Sequence, residues 1–243
     1  DNTDSLALTQ LPNPVPDITA INPSIVYRGS SGESIIIQGN KFIKTSTVYL
    51  GGQLLGTTFI DNHNLRVNIP KELLVKAGTA QIAVINPSPE GGTSNIATLQ
   101  INNPVPSISM IDPDKAMAGA SGLTLSIYGA GFFDDTPVYI NNIPRPFTLL
   151  SQTKLQIELT ASDLETRRHL EITASNPAPG GGTSNKAVFT VLNPVPSLLS
   201  ITPTSVTAGS PDFTLTLTGD NFVKTSTVSF NNQQYSAAYI SSF

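Results

Sequence analysis

The sequence predicts an all-β chain built as a tandem array of antiparallel β-sandwiches, and three observations carry that prediction. The chain repeats itself at a fixed interval. Within each interval, apolar and polar residues alternate in short runs bounded by Gly, Pro and Asn. No run has the length and period of a crossover helix, so neighbouring strands are expected to be antiparallel.

The interval is ninety residues. Asn-Pro-Val-Pro stands at 13–16, 103–106 and 193–196, so 103 − 13 = 90 and 193 − 103 = 90. The stretch at 86–95, Asn-Pro-Ser-Pro-Glu-Gly-Gly-Thr-Ser-Asn, returns at 176–185 as Asn-Pro-Ala-Pro-Gly-Gly-Gly-Thr-Ser-Asn. Gly39 and Phe42 return as Gly129 and Phe132, then as Gly219 and Phe222.

The strands follow in order. Ile35 and Ile37 match Leu125 and Ile127, then Leu215 and Leu217, while the residue between them varies. A period of two with one apolar face describes a half-buried strand. The next strand pairs Val48 with Leu50, Val138 with Ile140 and Val228 with Phe230. It ends in Gly51-Gly52, Asn141-Asn142 or Asn231-Asn232, dipeptides that tolerate positive φ and suit a tight hairpin. Leu65, Val67 and Ile69 mark a further strand, then Ala80, Ile82 and Val84, then Ala97, Leu99 and Ile101. A short helical turn is expected over residues 71–76 and again over 162–167. Each repeat thus holds six or seven strands. Asn-Pro-Val-Pro reads as a short, stiff connector, because its two prolines fix φ and remove donors.

These intervals divide the chain. Residues 13–102 form one repeat and 103–192 a second. Residues 193–243 form the N-terminal half of a third: Phe243 corresponds to Thr153, which is 192 − 153 = 39 residues short of the second repeat's end. Residues 1–12 read as the last strand of a preceding repeat or a tail, since Ala7 falls on Ala97 and Leu11 on Ile101. A half-sandwich would bare Leu215, Leu217, Val228 and Phe230 and invite chain–chain contact through 193–243.

Composition narrows the function classes. The formal charge is −4, and charged residues make up 12% of the chain, about half the usual ~25%. No electrostatic footprint for nucleic acid or an anionic membrane exists. With no cysteine, disulfides and thiolate metal sites are excluded. No apolar run approaches the ~20 residues that span a bilayer, so no membrane insertion is expected of this segment. No secretory leader is recognisable at the N-terminus.

The opening pattern Pro16-x-Ile18-x-x-Ile21-x-Pro23 recurs as Pro106, Ile108, Ile111 and Pro113, and as Pro196, Leu198, Ile201 and Pro203. With the glycines at 29 and 32 and the Gly-x-x-Phe corner, it resembles the IPT/TIG family over nearly the whole chain. The Asn-Pro-x-Pro-x-Gly-Gly-Thr-Ser-Asn stretch looks like the bacterial secreted and surface arrays of that family. The resemblance implies immunoglobulin-like sandwiches and brings no catalytic residues with it. Asp212 replaces Gly32, and Thr160 and Arg168 replace Pro70 and Gly78; all three are loop positions.

Candidate chemistry is sparse. His63 and His169 have Thr153 and Thr79 as their counterparts one repeat away, and no partners for a nucleophile or metal system are legible. Asp134-Asp135 has Lys44-Thr45 and Lys224-Thr225 as counterparts, so no repeated calcium site is expected. Asp112 and Asp114 flank Pro113 and read as loop caps. The glycine stretches lack the Lys-Ser/Thr and the helix of a phosphate cradle. Arg167-Arg168-His169 is too small a cluster for phosphate-backbone binding. Tyr49 and Tyr139 occupy one equivalent outward position and mark a candidate partner-binding face. No Trp is present to build a sugar platform.

The sequence therefore predicts no catalytic, cofactor or metal site. The expected function is a non-catalytic spacer or adhesion module of a bacterial surface or secreted protein, extracellular and part of a longer chain. Its partner, protein or glycan, is not specified by the residues. The alternative is an accessory glycan-binding region of a larger polysaccharide-acting enzyme.

Overall fold

A computed structural model describes residues 11–241; the expected strand within residues 1–12 lies almost wholly outside that range. Two compact units emerge. One comprises residues to Pro106 together with Ser175–Thr183, and the other Ser107–Ala174 with residues from Ser184 onward.

The first repeat contains β1 (Asp17–Asn22), β2 (Ile25–Tyr27), β3 (Gly32–Asn40), β4 (Thr47–Leu50), β5 (Gln53–Asp61), β6 (Asn64–Pro70), β7 (Gly78–Asn86), β8 (Gly92–Thr93) and β9 (Ala97–Asn102). One layer runs β1-β3-β6-β5 and the other β5-β4-β7-β9-β2, with β8 on β7. Strand β5 serves both layers: Gln53 to Leu55 pair with β4, and Gly56 to Asp61 pair with β6. The alternation read from sequence becomes burial. Ile35 lies opposite Val67 and Ile37 opposite Leu65, and all four are sealed in a core with Val48, Ile82, Val84 and Leu99.

The second repeat follows with β10 (Ser107–Asp112), β11 (Lys115–Met117), β12 (Gly122–Ala130), β13 (Val138–Ile140), β14 (Ile143–Arg145), β15 (Phe147–Ser151), β16 (Lys154–Thr160), β17 (Arg168–Asn176), β18 (Gly182–Thr183) and β19 (Ala187–Leu192). Here the counterpart of β5 is broken in two. Pro146 stands where the first repeat has Gly56, and a proline has no N–H to give to a ladder. The strand count of nine and ten therefore exceeds the expected six or seven. The missed strands are β5, whose apolar residues do not alternate cleanly, and the very short β2 and β8. The expected helical turn is a single 3₁₀ turn at Lys71–Leu73. In the second repeat it is a turn closed by Asp163 N–H donating to Thr160 O and Leu164 N–H to Ala161 O.

Both central residues of each hairpin have positive φ: Gly51 and Gly52 at 57° and 84°, Asn141 and Asn142 at 50° and 66°, Asn231 and Asn232 at 49° and 64°. That is the type I′ geometry the dipeptides predict. The Gly-x-x-Phe corner also has a steric cause. Gly39 lies opposite Ile18, where β1 bulges against β3. A Cβ on Gly39 would stand 1.9 Å from Asp17 O and 2.6 Å from the Phe42 ring. The first strand and the buried ring occupy the space a side chain would need.

Asn-Pro-Val-Pro is not a free connector. In the first repeat Asn13 forms a parallel bridge with Glu90. Its N–H donates to Pro89 O and its carbonyl accepts from Gly91 N–H, both at 2.9 Å. Asn13 Nδ2 donates to Pro87 O, and Asn86 Nδ2 returns a bond to Pro14 O. The second copy repeats every bond: Asn103 with Pro179, Gly181 and Pro177, and Asn176 with Pro104. The two most repetitive stretches of the sequence thus clasp each other. Buried Asn86 is the hub, since it also donates to Lys41 O and accepts from Ser46 Oγ at 2.6 Å.

Within residues 193–241 two separate pairs form: β20 (Ser197–Thr202) with β21 (Thr216–Asp220), and β22 (Val228–Phe230) with β23 (Gln233–Tyr235). Leu215 is 38% exposed and Phe230 63%, whereas their counterparts Leu125 and Ile140 are buried. Leu217 and Val228 are half-buried.

Candidate functional site

Tyr49 and Tyr139 point away from their cores. Tyr49 lies between buried Val48 and Leu50 on β4, and Tyr139 between buried Val138 and Ile140 on β13. Each is half-buried, so strand neighbours cover part of each ring. Those neighbours differ. Tyr49 is flanked by Leu54 on β5 and Ala83 on β7. One position before the Ile82–Ala97 pair stands Ile96. Leu54 is 58% exposed and Ile96 54%. Directly opposed residues share a face of the sheet, so Leu54, Tyr49 and Ala83 make an apolar row across the outer face of the first repeat, with exposed Ile96 just before β9. The same row in the second repeat is Pro144, Tyr139 and Thr173, with Lys186 in the place of Ile96. There Lys186 pairs with Glu171 at 2.6 Å, both well exposed. The sequence placed the two tyrosines in one position but did not bring out this contrast, because the row is assembled from strands separated in sequence.

The second repeat carries its own departure inside. Arg145 and Asp163 pair at 2.5 Å, with side chains 23% and 10% exposed. The counterparts one repeat earlier are Leu55 and Leu73, both in or against the apolar core. Burial opposes ionisation of Asp163, but the Thr160 amide and hydroxyl and the Arg145 guanidinium outweigh it and hold the carboxyl below its ordinary value. The pair replaces two leucines with an ion pair in which Arg145 Nε is buried without a hydrogen-bond partner, a structural substitution rather than a reactive centre.

The remaining candidates do not converge. His63 is exposed, and its Nδ1 lies 3.1 Å from Gly39 O. His169 is exposed beside Thr190. Asp61 caps the intervening turn, its carboxyl held down by the His63 amide and the Asn64 side chain. Asp134 and Asp135 are exposed, and so are Asp112 and Asp114. The last two border an open groove of about 490 Å³ along β10, together with Met110 and Lys186. Among the described residues, no three His, Asp or Glu side chains come together in a way that could hold a metal ion. The glycine stretches belong to the clasp rather than to a phosphate site. Among the described residues, no helix is long and apolar enough to cross a membrane.

Two layers of strands, antiparallel except for one parallel edge pair in each repeat, define an immunoglobulin-like sandwich, here present in tandem. The chain belongs to the IPT/TIG domain family, whose model matches residues 16–101 and 106–191. Solved structures resemble it at low identity. One was crystallised with a xylogluco-oligosaccharide; it is 18% identical over 92% of this chain and 51% of its own, with a TM-score of 0.41. Another is the Bacteroides ovatus mixed-linkage glucan utilization locus protein SGBP-B with a mixed-linkage heptasaccharide, 18% identical over 78% of this chain and 49% of its own, TM-score 0.28. An amphioxus IgVJ-C2 molecule is 15% identical over 68% of this chain and 100% of its own, TM-score 0.38. This chain spans about half the length of the first two. No curated protein is similar enough to be matched to it.

Proposed function

We propose that the chain is a non-catalytic spacer and partner-binding array of a bacterial surface or secreted protein, working outside the cell. The observation that carries the reading is the contrast between the two repeats. Their strand frames correspond, apart from the divided counterpart of β5 and the Arg145–Asp163 pair, while the outer face of the first alone bears the apolar row Leu54, Tyr49 and Ala83, with exposed Ile96 close by in the chain before β9. Cores keep shape; a contiguous apolar row exposed on the outer face is a contact surface. Tyr49 supplies a rigid ring with a polar tip, suited to either a protein or a sugar. Repeat boundaries at 13–102 and 103–192 place one clasp in each repeat, and residues 193–243 begin a third.

The test has two arms. The purified chain is incubated with xyloglucan, mixed-linkage glucan and starch, and is expected to leave all three intact; release of reducing ends would overturn the non-catalytic reading. Tyr49→Ala and Leu54→Ser are then compared with the unaltered chain and with Tyr139→Ala on glycan arrays and on whole bacterial and host surfaces. Binding that depends on Tyr49 and not on Tyr139 supports the contact row. Binding confined to glycans would move the reading to an accessory glycan-binding region. Binding indifferent to Tyr49 and Leu54 would remove the row from the function.

A further inference from the structure

We infer that each repeat is a load-bearing element whose second and last strands form a shear clamp against tension along the chain. The inference rests on the reading of the array as a spacer, but not on any ligand.

The first repeat is entered at Asn13 and left after β9. Between these ends, β2 and β9 pair in parallel, with Ile25 opposite Gln100, Val26 opposite Ile101 and Tyr27 opposite Asn102. Beyond the strand ends, Gln100 N–H donates to Ser24 O at 3.0 Å and Arg28 N–H to Asn102 O at 2.9 Å. The second repeat is built the same way: β11 and β19 are parallel from Lys115–Thr190 to Met117–Leu192. Thr190 N–H donates to Asp114 O at 2.9 Å and Ala118 N–H to Leu192 O at 2.7 Å.

Parallel pairing fixes how force is felt. Both strands run the same way, so the incoming chain attaches at one end of the pair and the outgoing chain at the other. Tension on the two ends draws the strands along their own axes in opposite directions. All the bonds between them are loaded together and must fail together. In an antiparallel hairpin pulled at its open end, the bonds fail one after another.

The clasp adds a second parallel contact. Asn13 bridges Glu90, and Asn103 bridges Gly180. The entering chain is therefore fastened, before it reaches its first strand, to the loop that leads into the last one. This is where the sequence is most strictly repeated.

The absence of cysteine lets pulling points be chosen at will. In the full chain, handles on Val105→Cys and Val195→Cys load the second repeat end to end; both positions are exposed, at 61% and 84%. Handles on Thr148→Cys and Glu158→Cys load it at the open end of the β15–β16 hairpin, where Phe147 lies opposite Ile157. At equal constant tension the repeat is expected to survive about tenfold longer or more under end loading, since forced unfolding follows the unfolding rate. Ala118→Pro removes the amide that donates to Leu192 O and should shorten the end-loaded lifetime selectively. Leu159→Ala, a core truncation, should shorten both. Equal lifetimes in the two geometries, or a longer lifetime at the hairpin, would overturn the clamp. The two geometries decide the matter alone if Ala118→Pro fails to fold. Failure here leaves the binding arms of the proposed function untouched, so the two readings fall separately.

Discussion

Gly39→Ala tests why the corner glycine recurs. The new Cβ would lie 1.9 Å from Asp17 O, 2.6 Å from Phe42 Cζ and 3.0 Å from Asp17 C. Two of these three are backbone atoms of the chain entering β1, so no rotamer change relieves the clash. Either β1 lifts off β3 around the Ile18–Gly39 pair or the Phe42 ring leaves its buried site. Overpacking ordinarily costs about 1–3 kcal/mol. A backbone obstacle on one side and a buried ring on the other place this case at about 3 kcal/mol or above. For a domain of this size, about 3 kcal/mol corresponds to a melting shift of roughly 12–24 °C. The matched control is Gly56→Ala in the same repeat. Nothing lies within 4 Å of its added Cβ, and its φ is not in the left-handed region. That change should be neutral or stabilise by up to about 1 kcal/mol through the unfolded chain. The assay is thermal unfolding of the full chain, with hydrogen exchange in β6 to assign the transition to the first repeat, because tandem domains need not melt as one. A Gly39→Ala protein that melts like the unaltered chain would refute the steric account of the corner.

Asn86→Ala should destabilise the first repeat by several kcal/mol, since Pro14 O, Lys41 O and Ser46 Oγ all lose a partner at about 1–3 kcal/mol for each group left buried and unsatisfied; a loss below about 1 kcal/mol by urea titration would show that water replaces the hub. The Arg145→Leu/Asp163→Leu double variant restores the pattern of the first repeat and should be neutral or more stable, whereas Arg145→Ala, which leaves Asp163 partnered by Thr160 alone, should be less stable than either. Asp163 also sets a pH dependence: its folded carboxyl is held below its ordinary value, so its contribution is present above about pH 4 and is lost as pH falls through the lower folded value. Acid titration of the second repeat should show that loss, and Asp163→Asn should remove it. Finally, amides at 213–230 should exchange much faster than those at 123–140, because Leu215 and Phe230 stand open where Leu125 and Ile140 are buried; equal protection in dilute protein would show that residues 193–243 are stable as they stand.

Whatever depends on local period and local backbone demand is legible in the sequence. Alternation at Ile35 and Ile37 named the buried face of β3, because side chains alternate across a strand whatever it pairs with. Asn141-Asn142 named its turn, because positive φ is a property of the residues themselves. Spacing at ninety set the repeats, and the recurring corner residues identified a packing demand before its cause was visible. Which segments meet is visible only in the folded chain. The clasp joins residues about seventy-four apart, as Asn13 is from Pro87, and nothing local to either end predicts the bond. Strand β5 changes layers because its two halves find different partners. Arg145 and Asp163 stand eighteen residues apart and meet only in the folded repeat. The candidate face had the same character: Tyr49 was legible alone, but Leu54 and Ala83 become its neighbours only through cross-strand register. Periodicity reports which side of a strand faces inward, whereas register and long-range pairing depend on the free energy of the whole sandwich.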